Sequence, residues 1–427
     1  MMKILTGEQY EEEVRSKVTN EQMAQQLDQD VLKIIGQVRE RGDEALVEYT
    51  EKFDKLTLES IRVSEEEFNE AKKLVAPDFI RAIQKAHQNI KDFHEQQNEK
   101  SWFTTKENGI LLGQKVTPLD SVGIYVPGGK AAYPSTVLMN AIPAKIAGVR
   151  NIAMTTPPQR NGKINPHVLV AAVEVGVDVV YKVGGAQAIA ALAYGTESIQ
   201  KVVKIVGPGN AYVARAKKWV FGDVAIDMIA GPSEICVVAD DSAVPSYVAS
   251  DLLSQAEHDE QATAICITTS SAFAEALQDE VKKQMNALDR ISIIEKSITD
   301  NGRIIIVASL TEAFDLVNEL APEHLQLMIE NPMEKMQYIQ NAGAIFLGNH
   351  SPEALGDYIA GPNHTLPTSG TSTFSSPLGV YDFLKKTSII HYSKEALQDV
   401  ADDIITLANA EGLSAHANSI AIRKAGN

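Results

Sequence analysis

The sequence predicts an α/β protein: two doubly wound (Rossmann-like) parallel-sheet units, a helical N-terminal segment and a C-terminal helical tail. Three observations support this class. From about residue 119, short apolar runs bounded by turn residues alternate with helical segments, the pattern of parallel strands covered by helices on both faces. The alternation occurs twice in succession and at similar size. Before it and after it, apolar residues recur at helical spacing only. The expected organisation is therefore 1–105 helical, 106–232 a first unit, 233–378 a second unit, and 379–427 the tail.

In the N-terminal segment, Val31, Leu32, Ile34, Ile35 and Val38 share one helix face, as do Phe79, Ile80, Ile83, Ala86 and Ile90. No chemistry gathers there, and His87 and His94 are expected on a solvated helix face. The first unit has strand-like runs at 121–126, 151–155, 178–183 and 202–206, with helical stretches at 135–147, 167–175, 186–194 and 211–220. The second repeats the scheme with runs at 235–239, 263–268, 303–307, 325–329 and 344–347. Residues 360–378 are rich in Gly, Pro, Ser and Thr and nearly free of charge, which fits an ordered functional loop better than a solvated linker. A helical stretch from 394 closes the chain.

Composition narrows the function classes. With 427 residues and 44% hydrophobic content the chain is long enough for two or three domains with a sizeable core. A formal net charge of -17 argues against nucleic acid as a partner, because phosphate binding needs clustered cations. Cys236 and Cys266 both fall in apolar runs and are expected to be buried, reduced thiols. The first residues turn acidic before the apolar core of a signal peptide forms, and no run approaches the ~18 apolar residues of a membrane span. A cytoplasmic enzyme without a membrane partner is expected.

Three glycine-rich turns follow strands of the first unit: Val126 to Lys130, Val183 to Gln187, and Val206 to Asn210. Ligands of open α/β sheets bind at such carboxyl ends, where turns expose backbone N–H groups. None is a regular fingerprint. The Gly207–Gly209 turn lacks the third glycine of GxGxxG, and Ala131 follows Gly129 and Lys130 where a P-loop needs Ser or Thr. A nucleotide site and three plain turns both remain open.

Acid, base and ligand groups concentrate in the second half. Gln255 and His258 sit one turn apart near the end of a helix that starts at about Pro245. They suit either two ligands of a divalent metal or a solvated helix end among Glu257, Asp259 and Glu260. Glu323 and His324 enter a strand after Pro322 and are fit for water activation and proton transfer near neutral pH. Adjacent strand residues point to opposite faces, so the two can share a cavity only at an irregular strand end. Asp357, His364, Glu411 and His416 add a carboxylate, an imidazole and a second such pair in Gly- and Pro-marked segments. Mixed nitrogen and oxygen donors without thiolate suit Zn²⁺ or Mn²⁺ in an open site.

The stretch IDMIAGPSE followed by SDLLSQAEHD resembles the signature of the histidinol dehydrogenase family, and the resemblance runs along essentially the whole chain. GIYVPGG, VGGAQAIAALAYGT, GPGNAYV, APEHL, GDYIAGPNHTLPT and EGLSAHA follow in the family's order. The resemblance implies NAD-dependent oxidation of L-histidinol to L-histidine through L-histidinaldehyde, the last step of histidine biosynthesis. It implies one zinc per subunit, bound by Gln255, His258, Asp357 and His416, with Glu323 and His324 as the catalytic pair. Ser233, His364 and Glu411 would join the metal ligands and His324 around the substrate, and Tyr125, Gln187 and Asn210 would contact NAD. It further implies a homodimer in which Glu411 and His416 complete the neighbour's active site. Two alternatives stand beside this reading. One is a zinc metallohydrolase with Glu323 as general base; the other is a nucleotide-binding module without catalysis.

Overall fold

The computed structural model describes residues 1–16, 21–128 and 132–426. The chain divides into two compact units, Met1–Gln97 with Leu119–Asp382, and Asn98–Pro118 with Phe383–Asn427.

Runs such as Glu234–Ala239 and Thr263–Thr268 are apolar at nearly every position, which suits strands covered on both faces. In the larger unit they form a six-stranded sheet in the order Lys3–Thr6, Arg303–Ile306, Thr263–Thr268, Glu234–Ala239, His324–Met328, Ala344–Leu347. Every neighbouring pair is parallel. Successive side chains alternate between two cores, as the pleat requires. Ile235, Val237 and Ala239 pack with Val248, Leu252 and Leu253 of the helix Pro245–Ala256. Cys236 and Val238 join Phe314 and Val317 of the helix Leu310–Leu320 on the opposite face. Each such buried aliphatic side chain stabilises the fold by roughly 1.5–3 kcal/mol.

A five-stranded sheet of the same unit runs Val179–Tyr181, Asn151–Thr155, Ser121–Tyr125, Lys204–Val206, Ala225–Ile226, again all parallel. Numbered from its first central strand, each sheet reads 3-2-1-4-5, with Lys3–Thr6 added at one edge of the larger. The reversal point lies beside the first strand in both, the place where doubly wound sheets open a crevice.

The N-terminal segment is mostly helical, but it is not a separate layer. Helices Glu21–Arg41 and Asp43–Asp54 share a core with Ala188, Leu192 and Val213 behind the five-stranded sheet. Lys3–Thr6 instead adds a strand beside Arg303–Ile306. The expectation of a solvated His94 does not hold: it is fully buried, and His87 is part-buried against Glu174 at 3.0 Å. Ile83, Ala86, Ile90 and His94 form one stripe at helical spacing on Pro77–Glu95, so the histidine extends the buried face. Its Nδ1 donates to the Ile90 carbonyl at 2.8 Å.

The smaller unit carries an antiparallel sheet in the order Leu384–His391, Ile110–Pro118, Trp102–Lys106, and the helices Lys394–Ala410 and Ser414–Lys424. The tail expected to be helical from 379 thus begins with a strand. No helix among the described residues is long and apolar enough to cross a membrane. Cys236 and Cys266 are buried free thiols, and burial pushes Cys236 up to about 12.

Candidate active site

The acid and base groups of the carboxyl half begin just before the start of the strand His324–Met328. Ala321 adopts the left-handed conformation (φ 46°), and regular pairing begins only at His324, opposite Ile235. Glu323 therefore escapes the pleat's alternation, and both it and His324 are buried beside the same neighbour. The Glu234 backbone N–H donates to Glu323 Oε2 at 2.8 Å, while His324 Nδ1 donates to the Glu234 carbonyl at 2.9 Å. A carbonyl only accepts, so the proton sits on Nδ1 and the Nε2 lone pair is free.

That lone pair faces carboxylates. Nε2 lies 4.0 Å from Glu353 Oε1 and 4.0 Å from Asp357 Oδ1, and is buried without a hydrogen-bond partner among the described residues. Glu353 and Asp357 are one turn apart on the short helix Glu353–Tyr358. Ligand atoms of His258, Glu353 and Asp357 lie within 4.8 Å of one another. Gln255, near the end of Pro245–Ala256, is fully buried, and both its amide atoms lack partners among the described residues. An unpaired buried amide costs roughly 1–3 kcal/mol, so its position calls for an incoming partner. His364 Nδ1 donates to the Asp357 carbonyl at 3.1 Å, which leaves Nε2 to accept from the Thr136 hydroxyl at 3.2 Å.

The electrostatics follow from burial. Burial lowers His324 to about 4, with His258 and His364 pressing the same way. Burial, with a smaller contribution from His258, likewise lowers His364 to about 4. Burial raises Glu323 well above the usual carboxylate range, helped by the charges of Glu234, Asp357 and Glu353. Glu353 and Asp357 are raised as well, burial first. These shifts favour uncharged carboxyls and imidazoles, and a cation held among them would favour ionised carboxylates.

Glu353 was missed in the sequence. It is 2% exposed, and Ser254 Oγ donates to its Oε2 at 3.2 Å. Its spacing of four from Asp357, just after a helix-starting Pro352, was the available signal. Ser233 lies directly before the strand Glu234–Ala239, and its carbonyl accepts from Thr263 N at 2.9 Å. The uncharged loop packs tightly: Thr368 Oγ1 accepts from Gly231 N at 2.6 Å, and Ser369 N donates to Glu234 Oε1 at 3.0 Å. Glu411 and His416 belong to the smaller unit, where both are exposed around the turn between its two helices.

The five-stranded sheet presents a different edge. Buried Tyr125 accepts from Gly185 N at 3.0 Å through its hydroxyl, and Gln187 Oε1 is buried with no partner among the described residues. Asn210 caps the helix Ala211–Val220 by accepting from Tyr212 N and Val213 N at 3.0 and 3.1 Å. A cleft of about 950 Å³ opens at this edge, lined by Asp54, Pro127, Gly128, Thr156, Arg160 and Asn165 among others. The end of the first glycine turn, Gly129 to Ala131, lies outside the described residues.

Fold and site together define an α/β enzyme with a buried acid–base pair beside a group of side chains able to hold a cation. A family model described as histidinol dehydrogenase matches residues 17–424. The histidinol dehydrogenase of Oceanobacillus iheyensis is 59% identical over 99% of both chains. That of Clostridium acetobutylicum is 54% identical over 98% of this chain and 97% of its own. The crystal structure of histidinol dehydrogenase from Elizabethkingia anophelis superposes with a TM-score of 0.90 at 41% identity, covering 96% of this chain and 93% of that one. The chain belongs to the histidinol dehydrogenase family, and so to the oxidoreductases.

Proposed function

We propose that this protein oxidises L-histidinol to L-histidine in two NAD-linked steps through L-histidinaldehyde, in the cytoplasm and as a homodimer. The observation that supports this most is the unpartnered His324 Nε2 facing the Glu353 and Asp357 carboxylates, with Nδ1 fixed on the Glu234 carbonyl. It is an imidazole held in its basic form at a buried site.

The donor set fits a divalent cation: an orphaned buried amide at Gln255, an imidazole at His258 and carboxylates in reach at Asp357 and Glu353. Gln255, His258 and Asp357, with His416 from a second copy, would hold zinc, which supplies a fixed positive charge for a substrate carrying an imidazole and an amine. Glu411 and His416 are exposed, as donation to a neighbour requires. Ser233 and His364 would line the substrate beside them. On the other sheet, Tyr125, Gln187 and Asn210 would contact NAD, the hydride acceptor.

In the first step His324 Nε2 takes the hydroxyl proton as hydride leaves the carbinol carbon. In the second, Glu323 removes a proton from the water that adds to the aldehyde carbon. Glu323 needs nearby positive charge to ionise, given its burial among carboxyls. His324 returns its proton to the aldehyde oxygen as the water adds, and then takes a hydroxyl proton from the resulting hydrate as the second hydride leaves. Burial of both groups excludes competing water.

Two NADH should form for each histidinol consumed, read by absorbance against substrate loss. A ratio of one would remove the second step, and no NADH would remove the whole reading in favour of hydrolytic chemistry.

A further inference from the structure

A buried charge pair lies beneath the turn that follows the strand Lys204–Val206. The side chains of Lys217 and Asp227 are 2% and 1% exposed and form an ion pair. Taking two charges out of water costs several kcal/mol per ion before their attraction is counted, and well-packed apolar replacements are often as stable. Stability alone gives such a pair little reason to exist. Its other bonds supply one.

Both partners hold the same glycine. Lys217 Nζ donates to the Gly207 carbonyl at 2.9 Å, and Asp227 Oδ2 accepts from the Gly207 N–H at 2.8 Å. Asp227 Oδ1 also accepts from Met228 N at 2.6 Å, and Asp227 N donates to Ile205 O at 3.2 Å. The two arms come from different elements, Lys217 from the helix Ala211–Val220 and Asp227 from just past the edge strand Ala225–Ile226. Gly207 has φ 109°, and a Cβ there would lie 2.1 Å from the Tyr125 carbonyl. The turn is thus pressed against the neighbouring strand in a conformation that L side chains rarely adopt, at the sheet's reversal point.

We infer that Lys217 and Asp227 are positioning residues that lock the Gly207–Asn210 turn in its NAD-receiving shape. The inference rests on the NAD reading above. A turn fixed before the cofactor arrives spares NAD the free energy of ordering it, so the effect belongs to cofactor affinity.

The test uses the full-length, metal-loaded protein and the variants Lys217→Met and Lys217→Gln. In Lys217→Met, amide deuterium exchange at 205–212 should accelerate without ligand, and KM for NAD should rise about tenfold, the equivalent of one lost charged hydrogen bond. KM for histidinol should stay within about twofold, as that site lies on the other sheet. Lys217→Gln keeps an N–H donor and should fall between wild type and Lys217→Met; it replaces Lys217→Met if that variant does not fold. A merely structural pair would lower melting temperature and active fraction while leaving both KM values alone, and that result overturns the inference. NADH binding to wild type, followed by fluorescence, tests the NAD reading separately. Should wild type bind no NADH, unchanged exchange at 205–212 in the variants would still overturn the lock.

Discussion

The five-stranded and six-stranded sheets share a strand order but equip their edges differently. At the edge of the six-stranded sheet, titratable and amide side chains gather: Glu323, His324, Gln255 and Glu353 are buried, Asp357 is part-buried, and several of their polar atoms have no partner among the described residues. At the other, backbone and glycine turns dominate, held by Tyr125, Asn210 and the Lys217–Asp227 pair. A doubly wound topology offers a crevice, and the residues around it decide its use. Titratable groups stripped of solvent suit proton transfer; closely approached backbone suits a large anionic cofactor.

The difference can be broken at three points. The largest effect is expected from His324→Asn, which should lower kcat by about 10²–10⁴-fold with KM for NAD unchanged in steady-state assays. A matching rise in that KM would erase the division of labour between the two sheets. Next, Glu323→Gln should slow oxidation of supplied histidinaldehyde by about 10²-fold while sparing the alcohol step, followed in single turnovers. Equal loss in both steps would leave Glu323 without a distinct role.

The smallest effect is on stability. In chelator-treated protein, Glu323 and Glu353 are carboxyls raised by burial, so the native state holds protons that the unfolded chain has released. Stability should then fall as pH rises from about 6.5 to 8, on the order of 1 kcal/mol per pH unit for each titrating group. His324 and His364 are lowered, so their opposite contribution is lost only as pH falls below about 6.5 and does not enter this window. Melting curves with and without zinc at both pH values should converge toward pH 6.5. A flat metal-free profile would show that the carboxyl cluster is not strained.

Much of this fold was legible because parallel strands are apolar on both faces. The runs expected at 151–155, 263–268 and 344–347 have the observed bounds, and the others shift by one or two residues. The strands that were missed lack that signature. Trp102–Lys106 is exposed throughout, and Leu384–His391 carries two lysines and a largely exposed pattern. Their pairing, not their burial, makes them strands. At the site, types and spacing pointed to Glu323 and His324, but not to how two adjacent residues share a cavity. That depended on the left-handed Ala321, a backbone conformation which non-glycine residues seldom declare in sequence. Glu353 was hidden among ordinary acidic residues until the fold turned it inward.

The strand Lys3–Thr6 has a consequence for how the chain is made. Lys3 pairs with Arg303, some 300 positions later, so this strand finds its neighbour only after a long stretch of intervening chain is in place. Until then Arg303–Ile306 presents a bare row of backbone donors and acceptors, the kind of border along which nascent chains adhere to one another. The short segment Lys3–Thr6 therefore acts as the selvedge of the larger sheet, and substitutions in it bear on solubility before they bear on catalysis.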